Sequence, residues 1–243
     1  MTATPTHLGP LLHGRIQQYA NAVGQIYYHD TVTNTTSYAI PPSYADHPSD
    51  QWEEDKSKTW AQWRNKRTGR AVLINPNPPP PQTYLDDLNV QAGINTLTRV
   101  PESDEHLYRR PMMGILRFMF PSNEGYDVVQ EAQGDISRSD FAVLKVLQRP
   151  GGSPNQYEIM HVESKPQKEP WGSTRDQLLD HLTGNGNDSG NCYGMVHIGL
   201  EVQFYRYNEY AFDSVSPKMH LVDDVASVIQ WGAYVKSNPL RLV

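Results

Sequence analysis

The chain has 243 residues, a formal net charge of -6 and a single cysteine. That length holds one sizeable core, or a core with a small module, at roughly 100 to 200 residues per domain. The negative charge gives no global attraction to phosphate, which weighs against a high-affinity non-specific nucleic-acid binder but leaves room for an enzyme whose basic groups are local. Cys192 has no partner for a disulfide or a thiolate zinc knuckle and is expected as a small buried residue. No run of 18 apolar residues occurs, and MTATPTHLGPLLHGR lacks the charged start and apolar centre of a secretory signal. The expectation is a soluble, intracellular protein without a membrane partner.

In chain order, the first patterned stretch is GQIYYHDTVTNTTSYAIP, Gly24 to Pro41. Its paired aromatics, threonine-rich turn, late aromatic and closing proline resemble the second and third strands of a WW domain, a three-stranded sheet that clamps proline-rich peptides in an aromatic groove. The resemblance implies a degenerate WW-like β module over residues 1–45, with Tyr27 and Tyr38 forming the peptide groove and Tyr28 and Pro41 on the core side. Ile16 stands where the family has its first tryptophan, and Tyr38 replaces the second. Losing the first removes the main core residue of a very small sheet, so the module is expected to need the rest of the chain for stability.

Residues 46–84 read as a proline-rich linker with a short β segment. PPSYADHPSD (41–50) and NPNPPPPQTY (75–84) mark it, and the Pro78 to Pro81 run is expected as extended polyproline II, because fixed φ angles and missing donors forbid helix or central strand. WRNKRTGRAVLINP, Trp63 to Pro76, suggests a hairpin or a strand packed on the main domain. The proline run is also a candidate occupant of the Tyr27 and Tyr38 groove, in this chain or a neighbour, which would be a route to self-association.

From about Leu85 the texture changes to apolar stretches of strand length separated by turn signals, an α/β pattern over 85–243. LYRRPMMGILRFMF (Leu107 to Phe120) predicts a helix interrupted or started at Pro111, and YDVVQEAQ a strand. FAVLKVLQ (Phe141 to Gln148) and YEIMHVES (Tyr157 to Ser164) flank the turn-rich RPGGSPNQ as a hairpin. Ser173 is placed to cap a helix to about Leu182, with Asp176 at the capping-box position and Gly184 as its stop. GNGNDSGN reads as a mobile loop, CYGMVHIG and LEVQFYRY as strands around Gly199, and residues near Val222 to Val235 as a last helix.

The hairpin places Asp140 and Glu163 nearly opposite one another, and Lys165 on the face of Glu163 because strand side chains repeat every second residue. Two carboxylates at matching levels suit a shared divalent cation, which would polarise a phosphate while the lysine orients water or stabilises developing charge. For an isolated E-x-K tripeptide a solvated strand end is the commoner explanation. The succession SRSDFAVLKV, YEIMHVESK, a helix with Gln177 and His181, YGMVHIG and VQFYRY resembles the PD-(D/E)XK nuclease superfamily, in particular its RecB-like and type I restriction endonuclease branches, over roughly Tyr126 to Tyr207.

That resemblance implies a restriction-endonuclease-like core, a mixed central sheet flanked by helices. Asp140 matches the metal-binding aspartate, Glu163 the second carboxylate, Lys165 the catalytic lysine and Gln177 the helix glutamine. Ser139 precedes the aspartate where proline is usual, and His181 stands where a tyrosine is frequent. Glu131 and Glu105 are candidates for a completing acid, Glu131 preferred because it leads toward Asp140. The implied cofactor is Mg²⁺ or Mn²⁺ and the implied partner nucleic acid, DNA before RNA, which adds the nucleus to the compatible compartments. The competing expectation is a catalytically silent nuclease-fold scaffold that makes protein contacts through the WW-like region.

Overall fold

The computed structural model describes residues 4–130, 139–148, 152, 154–208 and 210–241. The chain divides into two units, Met1–Pro80 and Pro81–Val243.

In the first unit, strands β1 (Thr6–Pro10), β2 (Ile16–Ala20), β3 (Ile26–Asp30) and β4 (Thr35–Ser37) form an antiparallel sheet in chain order. The sheet therefore has one more strand than the three-stranded WW pattern. β5 (Trp52–Glu54), β6 (Trp63–Asn65) and β7 (Ala71–Val72) form a second antiparallel sheet. All three strands lie within residues 46–84, so this stretch carries a small sheet where a linker with one short β segment is expected. Its β6–β7 turn is set by Asn65, whose Oδ1 accepts from the Arg67 and Thr68 N–H groups. The β3–β4 turn uses the same device, with Asp30 accepting from Val32 and Thr33. The buried amides of Gln18 and Gln62 tie the sheets together: Ala71 N–H donates to Gln18 Oε1 at 3.0 Å and Gln62 Nε2 donates to the Leu8 carbonyl at 3.1 Å. These side chains replace the ladder bonds the two sheets do not make to each other.

The second unit begins with two helices, α1 (Leu88–Arg99) and α2 (Glu105–Met119). Asp87 caps α1 by accepting from the Asn89 and Val90 N–H groups. Val90, Ile94 and Leu97, spaced for one helical face, are buried. α2 is continuous from Glu105, so Pro111 neither starts nor interrupts it. The proline forfeits the bond to the Leu107 carbonyl but is itself buried, and apolar packing outweighs one lost bond.

The sheet that follows contains β8 (Tyr126–Gln130), β9 (Phe141–Gln148), β10 (Pro154–Lys165), β11 (Cys192–Ile198), β12 (Glu201–Asn208) and β13 (Ala211–Ser214). Its order is β13-β12-β11-β10-β9-β8, with the two-residue strand β14 (Met219–His220) also paired to β12. β8, β9 and β10 are an antiparallel meander, and β11 lies parallel to β10. Parallel neighbours need a crossover, supplied by α3 (Trp171–Thr183). β11 and β12 join through the tight turn at Gly199, whose φ of +64° suits a residue without Cβ. α4 (Val225–Ser237) closes the unit, which is mixed α/β.

Alternation sorts the side chains into two layers. Phe141, Val143, Met160, Val162, Tyr193, Met195, Val202 and Phe204 pack in one core with α1, α2 and α4. Cys192, Val196, Ile198 and Tyr205 pack in another with Leu178 and Leu182 of α3. Gly194 lies beneath α3, where an added methyl group would come within 2.9 Å of Leu178 and 3.0 Å of Leu182. α3 starts two residues before Ser173, whose hydroxyl donates to the Pro170 carbonyl instead of capping.

The pairing of β9 with β10 slips once. Glu158 faces Leu144, but Met160 faces Val143, leaving Ile159 as the extra residue of a bulge. Asn187, from the α3–β11 loop, clasps the bulge: its Oδ1 accepts from the Glu158 N–H at 3.1 Å and its Nδ2 donates to the Glu158 carbonyl at 2.6 Å and to the Asn191 carbonyl at 2.9 Å. Asn185 further ties that loop to the Leu182 and Gly190 carbonyls, so GNGNDSGN is a tethered loop, in contrast to the mobile loop its glycines suggest. Asn187→Ala is expected to destabilise the second unit by about 1–3 kcal/mol, seen as a lower urea midpoint at unchanged slope. An unchanged midpoint would show that the bulge stands without the clasp.

Candidate active site

After the bulge, Phe141 pairs with Val162, and one further step sets Asp140 opposite Glu163. Lys165, two residues on, shares Glu163's face. Asp140 Oδ2 accepts from the Ser164 N–H at 2.7 Å, and its Oδ1 is held by the Arg109 guanidinium, which also holds Glu105 one helical turn earlier on α2. Lys165 Nζ lies 2.8 Å from Glu163 Oε1 and 3.5 Å from Glu105 Oε1. The Glu163 side chain is 1% exposed and that of His181 is 6% exposed, with Oε2 of the first 3.4 Å from Nε2 of the second. Neither atom completes a hydrogen bond.

Three carboxylates, two fixed cations and an imidazole thus share one partly enclosed place. Burial, and then the negative charge of Glu163, push Asp140 up to about 6 despite the Ser164 N–H and Arg109. Burial works against the charge of Lys165, but its hydrogen bond to Glu163 and the surrounding carboxylates prevail and raise it. Contact with Glu163 likewise raises His181 against its burial.

The residue between Glu163 and Lys165 is anchored from the opposite face. Ser164 Oγ lies 2.7 Å from His197 Nδ1, and His197 Nε2 lies 2.8 Å from the Gly199 carbonyl. Full burial drives His197 down to about 4, so at neutral pH it is uncharged. A carbonyl only accepts, so Nε2 carries the proton and the Ser164 hydroxyl donates to Nδ1. Ser139, beside Asp140, is buried and lies 2.7 Å from His161 Nδ1.

The structure brings Asp140, Glu163 and Lys165 together. Gln177 is half-buried one turn before His181 and makes no side-chain hydrogen bond among the described residues. Glu131 lies outside the described residues, whereas Glu105, the other candidate acid, is in the cluster. Arg109, Ser164 and His197 carry no signal in a strand-and-motif reading. The Glu105 and Arg109 pair was legible only as an i,i+4 match on a helix. Of the basic residues that could steer phosphate, Lys168 pairs with Glu102 and Arg175 with Asp176. Phe204 and Tyr205 are buried in the two cores.

In the first unit, Tyr27 and Tyr38 are neighbours with ring centroids 5.8 Å apart. Tyr19 stacks on Tyr27 at 5.4 Å and His7 follows at 5.0 Å, so the pair is part of a row of rings running across β1, β2 and β3 to the residue after β4. Tyr28 is buried in a cluster with Leu11 and Ile16.

Among the described residues no group of three or more His, Cys, Asp or Glu is placed to hold a metal ion. The residues nonetheless fit a hard divalent cation. Their donors are carboxylate oxygens, Glu163 Oε2 is buried without a hydrogen-bond partner, and the Asp140–Glu163 repulsion is of the kind a cation relieves. No family model, curated protein or solved structure matches the chain. No helix among the described residues is long and apolar enough to cross a membrane.

The raised Asp140 has a consequence with a definite sign. Between about pH 4, where a free aspartate ionises, and about 6, the folded chain holds a proton that the unfolded chain has released. The resulting stability is full below about pH 4 and is lost as pH rises through about 6. Asp140→Asn cannot ionise, so its Tm relative to wild type is expected to climb from pH 4 to pH 7 in metal-free buffer. A constant difference would mean that the carboxyl titrates ordinarily.

Proposed function

We propose that the second unit is a metal-dependent nuclease core of the PD-(D/E)XK type that hydrolyses phosphodiester bonds of DNA, with RNA a lesser candidate. The observation that carries this reading is the juxtaposition of Asp140 and Glu163 across adjacent strands, with the Lys165 ammonium 2.8 Å from Glu163. Supporting it is the succession of α2, the β8–β9–β10 meander, α3 as crossover, parallel β11 and the return strand β12, the order that the sequence resemblance implies.

In this reading Asp140 and Glu163 would hold Mg²⁺ or Mn²⁺, with Glu105 joined to the cluster through Arg109 and Lys165. Such an ion, when bound by these residues, would supply Lewis-acid stabilisation of the scissile phosphate and a lowered pKa for water. Lys165 keeps a positive charge directed at the reacting centre and orients the attacking water; Ser164 holds Asp140 through its backbone N–H. Arg109 must release Asp140 Oδ1 for that oxygen to reach a cation, and is then free to pair with phosphate. The partner this reading gives the second unit is nucleic acid.

One observation favours a second reading. Arg109 and Lys165 already neutralise the two carboxylates, as they would in a catalytically silent scaffold of the same fold whose protein contacts come from the first unit. The ring row through Tyr27 and Tyr38 is the surface for such contacts, with a proline-rich peptide or another copy of this chain as partner.

Incubation of the full chain with linear, circular and single-stranded DNA, and with RNA, in Mg²⁺, Mn²⁺ or EDTA separates the two. The nuclease reading expects metal-dependent products that vanish in Asp140→Ala and fall by about 10²–10³ in Lys165→Ala, the loss typical of removing one transition-state charge donor. Intact substrates throughout, with no metal bound, would leave the scaffold.

A further inference from the structure

Resting on the metal-dependent reading, we infer that His181 is a direct ligand of the ion, and that the site is thereby biased from Mg²⁺ toward first-row transition ions such as Mn²⁺. The argument begins with two orphaned atoms. Glu163 Oε2 and His181 Nε2 are both buried, lie 3.4 Å apart and make no hydrogen bond. A buried polar atom without a partner costs about 1–3 kcal/mol, and here two such atoms face the same gap.

A proton shared between the two would also fill the gap, but at 3.4 Å it would make only a long, weak hydrogen bond. A shared cation fits it better. With bonds of roughly 2.0–2.2 Å to nitrogen and oxygen, two ligands of one ion stand about 3.0–3.4 Å apart. The positions are held rather than fluctuating into place: Leu178 and Leu182, flanking His181 on α3, are fully buried against the sheet, and Glu163 sits between strands on both sides. Asp140 lies across from Glu163 with its Oδ1 held by Arg109, and the described residues offer no third side chain at ligand spacing, so water would complete the coordination.

The chemistry of the donor set fixes the preference. Mg²⁺ prefers oxygen ligands and retained water, whereas an imidazole nitrogen among carboxylates favours Mn²⁺ and later first-row ions. Metal binding by this set requires the His181 ring to be neutral, so protons are released on binding.

The test reads the ligand atom rather than turnover. Substoichiometric Mn²⁺ is added to the full-length protein and its electron spin-echo envelope is recorded for wild type, His181→Gln and Glu163→Gln. The expected wild-type result is ¹⁴N modulation from a directly bound imidazole, replaced by a ¹⁵N pattern when histidine alone is ¹⁵N-labelled, a control that needs no variant to fold. His181→Gln should lose the modulation and at least ~10-fold in Mn²⁺ affinity, while its Mg²⁺ affinity, measured by calorimetry, stays within about 2-fold of wild type because the carboxylates remain. Tight Mn²⁺ binding without nitrogen modulation would overturn the histidine ligand and leave the carboxylate site standing. Absence of any Mn²⁺ binding by the wild type would remove the metal-dependent reading along with it.

Discussion

A single extra residue in β10 determines what the second unit can do. Without the bulge at Ile159, the pairing that sets Glu158 against Leu144 would continue to set Val162 against Asp140, and Glu163 would turn to the other face of the sheet. The slip exchanges a valine for a carboxylate opposite Asp140 and brings Lys165 to the same face. A bulge disrupts its ladder, and Asn187 offsets that by presenting a carboxamide to the Glu158 N–H and carbonyl much as a neighbouring backbone would. The register of the site therefore depends on a side chain in a loop that follows a different helix.

Charge is the second constraint. Placing Asp140 and Glu163 side by side out of water is unfavourable, and the molecule meets it from several elements at once: a backbone N–H from Ser164, a guanidinium from α2, an ammonium from β10 and an imidazole from α3. None of these partners removes the strain entirely, since Asp140 stays well above its ordinary value and three polar atoms, Arg109 Nε, Glu163 Oε2 and His181 Nε2, stay unmatched. Such residual frustration at a cluster of charges is characteristic of sites shaped for a ligand rather than for stability. The serine and histidine pair on the far face of β10 has the opposite character, since a neutral His197 with both nitrogens satisfied serves rigidity.

The parts of this architecture that could be read in the sequence are those governed by short-range rules. Alternation along FAVLKVLQ and YEIMHVES located two strands, Gly199 located a turn, and the spacing of Asp140, Glu163 and Lys165 suggested their convergence. α1 falls inside the α/β stretch from Leu85 but is assigned no element by the sequence reading, although Asp87 and the Val90, Ile94, Leu97 spacing announce it. Pro111 was misread because a rule about hydrogen bonds took precedence over burial, which only the packed structure displays. The i,i+4 match of Glu105 with Arg109 and the place of His181 on its helix are legible, but their meeting with Asp140 and Glu163 is beyond any local rule, since what matters is which helix end arrives over which strand. The small sheets of the first unit are held together by buried glutamines, and glutamine in a sequence looks like surface.

Gly194 gives the helix above it an unusual importance. With hydrogen in place of a side chain, β11 lets Leu178 and Leu182 settle almost onto its backbone, and that standoff is what carries His181, lodged between them in sequence, down to Glu163. The smallest residue in the layer thus works as a spacer, setting the height of α3. A change of one methyl group on β11 would lift the imidazole away from Glu163, so the meeting of these two side chains is written partly into the thickness of the protein.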